Sequence, residues 1–487
     1  MERPRNKTLV VVAALIAIHS LHLHAQCAGK VDPLALAATC TARATPPVTE
    51  KQIDPSHPYR LEELIDLAEH NNPETRIAWE SAKQAANRMG IERSAYYPHL
   101  AALALFGDQR MINPFPEPLA PRGYVMVEVP IAQGGMGLEY DVFDFGKRGA
   151  RLESSKASRL AAVAAFQKTN QDVAFRVVTS YYNLITAQER LDAAQQVVKT
   201  AETTQQAAEA QLANGRATRP DVLNAQAATA QAAFDLQASI GAETEARVAL
   251  REVIGVEPSD EIKVQAPEVP PNPDELSVSA AKLVEVARQN RPDLTALSEQ
   301  LHAATADRRA ARSEYGPTIH LDASAAQSAI WPTVDYGSLG NANETIWNVG
   351  LSVKLTIFDG GQRKNEARLA DSRAREASEA LRAKEDQVTR EVWTSYVQYQ
   401  TAVRQQIAAN TLLASAEASY DASLDAYRYG VKNLVDVVAA ENQLAQARFA
   451  SVQSHSSAQV SAINLDYRTG ILLRQAPQPA QPSKVHP

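Results

Sequence analysis

Two acids in this chain hold matching positions beside turn glycines. Asp221 follows Gly215 and Thr218, and Asp436 follows Gly430 and Asn433. A Thr or Asn with an acid three residues on is the pattern of a helix N-terminus. The first side chain accepts from the third backbone N–H, and the acid reaches back. Such a cap is worth about 0.5–2 kcal/mol. Tyr427 and Lys432 flank the second turn and add a hydroxyl and a cation. This is hydrogen-bonding chemistry, not bond-making chemistry. The sequence has no phosphate-cradling glycine loop before Lys-Ser/Thr, no His-Glu-x-x-His and no Gly-x-Ser-x-Gly. We therefore expect no enzyme activity, no cofactor and no metal. His19, His22 and His24 are metal-ligand types, but they stand in an apolar leader that export would remove. Cys27 and Cys40 are the only cysteines and, in an exported chain, a candidate disulfide. Free thiols, or a lipid on Cys27, are the alternatives; Gln26 suits a lipoprotein signal poorly because it is not small. A net charge of −7 gives no support to nucleic-acid binding.

These groups are positioned by a stretch that the chain contains twice. Phe143–Gly255 matches Phe358–Gly470 at a constant offset of 215 residues. Phe-Asp-Phe-Gly (Phe143–Gly146) sits against Phe-Asp-Gly-Gly (Phe358–Gly361). Thr179-Ser180-Tyr181 sits against Thr394-Ser395-Tyr396, and Asp221-Val222 against Asp436-Val437. An ungapped match of turn glycines, acids and aromatics makes the chain one structural half used twice. From Ala150 to Leu212 there is neither Pro nor Gly, and the residues are strong helix formers. At 1.5 Å per residue this predicts a helix roughly 100 Å long. Its apolar residues recur every seven. One column is Val177, Leu184, Leu191, Val198, Gln205 and Leu212; the other is Ser180, Ala187, Ala194, Ala201 and Ala208. The second copy has Val392, Tyr399, Gln406, Leu413, Tyr420 and Tyr427 beside Ser395, Ala402, Ala409, Ala416 and Ser423. Paired columns of this kind form a coiled-coil seam, and the small residues allow close approach. Gly215 and Gly430 suit a left-handed stop. Each copy thus predicts a long antiparallel hairpin, 146–255 and 361–470, with a tight tip.

Leu61 to about Tyr96, and Ala281 to about Tyr315, each read as a helix containing a proline, Pro73 or Pro292. Pro98 and Pro317 end them, at an offset of 219. The period then changes to two. Ile319, Leu321 and Ala323 alternate with His320 and Asp322. Val349, Leu351, Val353, Leu355 and Ile357 alternate with Gly350, Ser352, Lys354 and Thr356. Leu138, Tyr140 and Val142 alternate with Glu139 and Asp141. Strands are expected at about 99–108, 136–143, 318–328 and 346–358, with Gly/Pro-rich loops at about 107–136 and 329–345. An apolar face opposite a charged one suits a sheet on a core or a membrane barrel. In the barrel, Glu139, Asp141, Asp322 and Lys354 face water. Four strands cannot close a barrel, and an open edge cannot face lipid, so a membrane reading requires several chains. Arg3, Arg5 and Lys7 before the apolar run Thr8–Ile18 predict a signal peptide over 1–25. The remainder divides into an extended segment at 26–58, a first repeat at 59–257, a Pro-rich linker at 258–278, a second repeat at 279–472 and a Pro-rich tail at 473–487.

The order helix, strand, strand, long hairpin, repeated behind a signal peptide, resembles the TolC-like outer-membrane efflux proteins. The resemblance covers about residues 58–472. It is carried by Phe-Asp-Phe-Gly-Lys-Arg and Phe-Asp-Gly-Gly-Gln-Arg at the junctions and by the tips Asn214–Gln226 and Tyr429–Glu441. It implies a mainly helical fold with a small β part. Three chains would share a twelve-stranded barrel in the bacterial outer membrane, continued by an α-helical periplasmic tunnel. It implies an exit duct for solutes, with a periplasmic adaptor, an inner-membrane pump and outer-membrane lipid as partners. By position, Asp436 would stand in the acidic ring of the entrance, where a second family acid is Ala439 here. Tyr427 and Lys432 would tie the second hairpin to its neighbours, and Asp221 would accept such a contact. The tips around Gly215 and Gly430 would dock the adaptor. The plainer readings are that both acids only cap helices and that Tyr427 only packs in the seam. A periplasmic coiled-coil adaptor is the alternative, but it predicts one hairpin rather than two. A structural scaffold is the other, and it predicts no alternation such as Val349–Ile357.

Overall fold

The computed structural model describes residues 54, 56–116, 120–257, 262–265, 278–335 and 337–473. The leader, Cys27, Cys40, most of the Pro-rich linker and the tail beyond 473 lie outside these residues. In chain order the elements are β1 (Pro58–Tyr59), α1 (Leu61–Asn71), α2 (Pro73–Ser94), β2 (His99–Pro114), β3 (Tyr124–Phe143), α3 (Lys147–Ala213) and α4 (Arg219–Ile254). There follow β4 (Lys263–Val264), α5 (Ala280–Asn290), α6 (Pro292–Ser313), β5 (Thr318–Ile330), β6 (Thr333–Val334), β7 (Gly337–Ser338), β8 (Ala342–Lys354), α7 (Gln362–Arg428) and α8 (Leu434–Thr469). The long helices of the two copies have the same length, 67 residues, and the return helices 36. The described residues form two compact units, a sheet unit and a helical unit.

In the sheet unit, β2 and β3 pair antiparallel, as do β3 and β5, and β5 and β8. β6 adds to the far end of β3 beyond β5, and β7 pairs with β6. The strands of the first pair run well past 108 and begin well before 136. The stretch expected as a loop is mostly ladder, out to Pro114 opposite Tyr124. Ladder bonds along β2 and β3 hold Gly- and Pro-containing sequence that propensity alone rates poorly. Directly opposed residues share a face. Leu100, Met136, Leu138, Leu321, Ala323, Val349 and Leu351 therefore lie on one side, and Glu139, Asp322, Asp141 and His320 on the other. The expected column Leu138, Tyr140, Val142 breaks at its end. A bulge between Asp141 and Phe143 places Phe143, not Val142, opposite Ile319. The apolar side is open, with Val349 at 64% and Leu351 at 67% exposure.

In the helical unit, each helix expected before the strands is in fact two. α1 stops at Asn71 and α2 begins at Pro73; α5 stops at Asn290 and α6 begins at Pro292. The residue before a proline is driven out of the helical region. Asn72 (ψ 126°) and Arg291 (ψ 119°) are extended accordingly. The core of the first copy joins Leu64 and Leu67 of α1 to Val173, Val177, Tyr181 and Leu184 of α3 and Leu250 and Ile254 of α4. The second copy repeats it more sparsely, with Val284 and Ala287 of α5 against Val388 and Val392 of α7. A third cluster, of Val222, Tyr420, Leu424, Tyr427, Val437 and Leu444, joins the two hairpins near their tips.

Candidate functional site: the hairpin tips

The last carbonyls of a helix have no helical partners. At the end of α3, Gly215 (φ 68°) donates to Leu212 O at 2.9 Å and Arg216 N–H donates to Gln211 O at 2.8 Å. At the end of α7, Gly430 (φ 76°) donates to Tyr427 O at 2.9 Å and Val431 N–H to Ala426 O at 2.8 Å. This paired closure needs a left-handed residue, which is why both turns carry glycine. Three residues later Thr218 caps α4. Its N–H donates to Asp221 Oδ2 at 2.8 Å, and Asp221 N–H donates back to Thr218 Oγ1 at 3.4 Å. The Thr218 hydroxyl, 2.6 Å from Asp221 Oδ2, and then the backbone bond hold the Asp221 carboxyl below the usual range. On α8, Asn433 Oδ1 accepts from Asp436 N–H at 3.0 Å, while the Asp436 side chain is exposed.

Tyr427 is 6% exposed, and its hydroxyl has no hydrogen-bond partner among the described residues. Burial, and then the charge of Asp221, push its phenol up. The structure thus brings Tyr427 of one hairpin near Asp221 of the other. Lys432 is turned elsewhere: Nζ donates to Ser423 Oγ at 3.1 Å, inside its own hairpin.

Several groups here were not singled out from the sequence. The flanking column of α3 was expected to continue through Gln205 and Leu212. Thr204 and Gln211 are buried instead, at 1% and 8% exposure, and Leu212 is 37% exposed. Near α1 and α4 the helix buries one face; near the tip it turns another to α7 and α8. Gln211 Nε2 donates to Tyr427 O at 3.2 Å and Arg428 O at 2.8 Å, so α3 satisfies the end of α7 from the other hairpin. Thr204 Oγ1 lies 3.2 Å from the Tyr420 hydroxyl, and Arg448 Nη1 donates to Thr200 Oγ1 at 3.1 Å. Glu441, 5% exposed, leaves one carboxylate oxygen unpartnered. Burial pushes its carboxyl up, against the Thr204 bond. For Thr204 and Gln211 the only available signal was a polar residue one step before the column of Val177. Apart from the Arg448 guanidinium and the Glu441 carboxyl, the groups of this seam are neutral hydrogen-bonding side chains and backbone carbonyls.

Among the described residues no group of three or more His, Cys, Asp or Glu could hold a metal, and no helix is long and apolar enough to cross a membrane. The tips and the two-faced sheet belong to a known architecture, that of outer-membrane channels. The chain aligns with the CmeC outer membrane channel of Campylobacter jejuni at a TM-score of 0.69 and 21% identity, over 85% of this chain and 86% of that one. The family model for outer membrane efflux proteins matches residues 64–256 and 283–470, one stretch in each repeat. The chain belongs to the outer membrane efflux protein family, and its place is the outer membrane, extending into the periplasm. Among curated relatives it is 28% identical to protein CyaE of Bordetella pertussis, over 66% of this chain and 68% of that protein. It is 25% identical to outer membrane protein OprJ of Pseudomonas aeruginosa, over 83% and 82%.

Proposed function

We propose that this chain is the outer-membrane exit duct of a tripartite efflux or secretion system. It works as a homotrimer in which three four-stranded sheets share one twelve-stranded barrel and the hairpins form the periplasmic tunnel. Solutes pass without chemistry, driven by an inner-membrane pump that reaches the duct through a periplasmic adaptor docked at the turns of Gly215 and Gly430. The duct opens by an iris-like movement of hairpins that draws Tyr427 away from Asp221 and breaks the Gln211 bonds to Tyr427 and Arg428, while Lys432 stays with Ser423 of its own hairpin. Asp436 sets the charge of the entrance. The observation that carries the barrel is a sheet with an exposed apolar face, a charged opposite face and edge strands β2 and β8 that each have one partner. Lipid tolerates such a sheet only when its edges are closed. Family membership carries the export role. Conductance in planar bilayers tests it. Wild type should give stable pores, and Asp436→Ala should give larger or less cation-selective ones. No insertion by a folded protein would sink the duct. Unchanged pores in the variant would leave Asp436 a residue of the α8 first turn.

A further inference from the structure

The duplication preserves strand register, and this allows a contact that one chain cannot make to be read from one that it does make. Within the first hairpin His99 opposes Glu139; within the second Thr318 opposes Lys354. These are the same pair moved by 219 and 215 residues, the offsets of the first and second strands of each copy. The remaining ladder joins the second strand of copy one, β3, to the first strand of copy two, β5. Its repeat equivalent joins the second strand of copy two, β8, to the first strand of copy one, β2. In a single chain those are the two open edges, so the partner is a second copy.

We propose that β8 of one chain pairs antiparallel with β2 of a second copy in the register that sets Val353 opposite Ala104, with Gly360 of the first chain receiving Tyr97 of the second. The inference rests on the multi-chain reading above and adds its residue-level geometry. Leu138 opposite Ala323 becomes Val353 opposite Ala104, and Tyr140 opposite Leu321 becomes Leu355 opposite Ala102. Both new pairs fall on the apolar face, where a register one residue away would put Lys354 opposite Ala104. β3 runs to Phe143 only because β5 pairs with its last residues. The corresponding end of β8 stops at Lys354, and Ile357 and Phe358 are 91% and 87% exposed.

The junction beyond the strands supports the same register. Phe145 is the only non-glycine with positive φ among the described residues (55°), and its ring lies over Gly316 so closely that a Cβ there would overlap it. The repeat equivalent of Phe145 is Gly360, at φ 66°, and that of Gly316 is Tyr97. The sizes are exchanged: a ring over a glycine within the chain becomes a glycine facing a ring between chains. Nothing lies within 4 Å of where a Gly360 Cβ would be, and Tyr97 is 62% exposed. The space and the side chain to fill it are both present, on opposite edges.

Oxidative cross-linking tests this in the full-length trimer with Cys27 and Cys40 replaced by Ser. Val353→Cys with Ala104→Cys should join subunits into disulfide-linked multimers. Val353→Cys with Asp108→Cys, on the same face but about 13 Å along the strand, should cross-link roughly tenfold less. Preferential linking of the second pair in a protein of trimeric mass would overturn the register and leave the trimer. A monomeric mass by light scattering would overturn both. Gly360→Phe should lower the share of trimer by light scattering, and adding Tyr97→Gly, which recreates the intrachain pair, should restore it; no restoration counts against the junction contact.

Discussion

Arg291 is the most deeply buried cation in the helical unit's ionic cluster, and removing it should loosen the link between copy-two helices. Its guanidinium is 6% exposed and makes ion pairs at 2.6 Å with Asp293 and at 2.7 Å with Glu391. Its Nη1 also donates to Arg468 O at 3.3 Å. Lys384 stands 3.2 Å from Asp293, and Arg468 3.2 Å from Glu391. Replacing one partner of a buried pair costs about 3–5 kcal/mol when the other charge is stranded. Here each acid keeps a second cation, so Arg291→Met should cost about 2–3 kcal/mol, the lower end or below. The acid limb gives an independent reading. Burial pushes the Asp293 carboxyl up, but the Arg291 hydrogen bonds and charge, with Lys384, outweigh it and hold it at about 2, below its ordinary 3.8. A lowered value means stability that is present above 3.8 and lost as pH falls towards 2. At about 1.4 kcal/mol per pH unit this amounts to roughly 2 kcal/mol. Heat or denaturant unfolding of the detergent-solubilised protein, from pH 7 to pH 2.5, measures both. Arg291→Met should be less stable at pH 7 and lose less on acidification. Equal stability and an unchanged acid limb would refute the assignment of Arg291 as the organising charge.

Gln211→Leu should destabilise the tips by about 1–3 kcal/mol, because the carbonyls of Tyr427 and Arg428 lose a buried donor; hydrogen exchange at the end of α7 should rise, and protection as in wild type would count against it. Glu441→Gln should stabilise the protein at neutral pH. The folded-state carboxyl is raised, so its contribution is fully present below the unfolded value and lost as pH rises through the folded one; the variant should flatten that slope in unfolding curves. Burial likewise holds Asp466 at about 6 against an ordinary 3.8. Asp466→Asn should therefore gain up to about 3 kcal/mol at pH 7 and nothing below pH 3.8, read from the same titration. Gly430→Val should cost about 1–2 kcal/mol through strain at φ 76°, with greater protease sensitivity at the tip as the readout.

Much of this architecture was written in the chain because it is periodic and local. Heptads within helices of 67 residues, proline stops and a gapless offset of 215 leave few alternatives for helix, turn and order. The reciprocal cap of Thr218 with Asp221 and the one-way cap of Asn433 on Asp436 N–H could be read from spacing, since a cap is satisfied within four residues; the return bond expected from the Asp436 carboxylate is not made. The helix breaks at Asn72 and Arg291 are also local: Pro73 and Pro292 drive their predecessors out of the helical region strongly enough to split each helix in two. The full strands of the first pair were not legible, because pairing holds them rather than propensity. Neither were Thr204, Gln211 and Glu441 in the seam. Which face a long helix buries at a given height depends on which helices surround it there, and no local period encodes that. Sequence by itself determined the repeated half and its turns, where each bond closes on nearby residues. Tertiary structure alone decided that Gln211 ends a helix in the other hairpin, that Val142 is bulged out of its column, and that Phe145 covers Gly316. Those contacts join residues far apart in the chain, and their energy exists only once the elements have met.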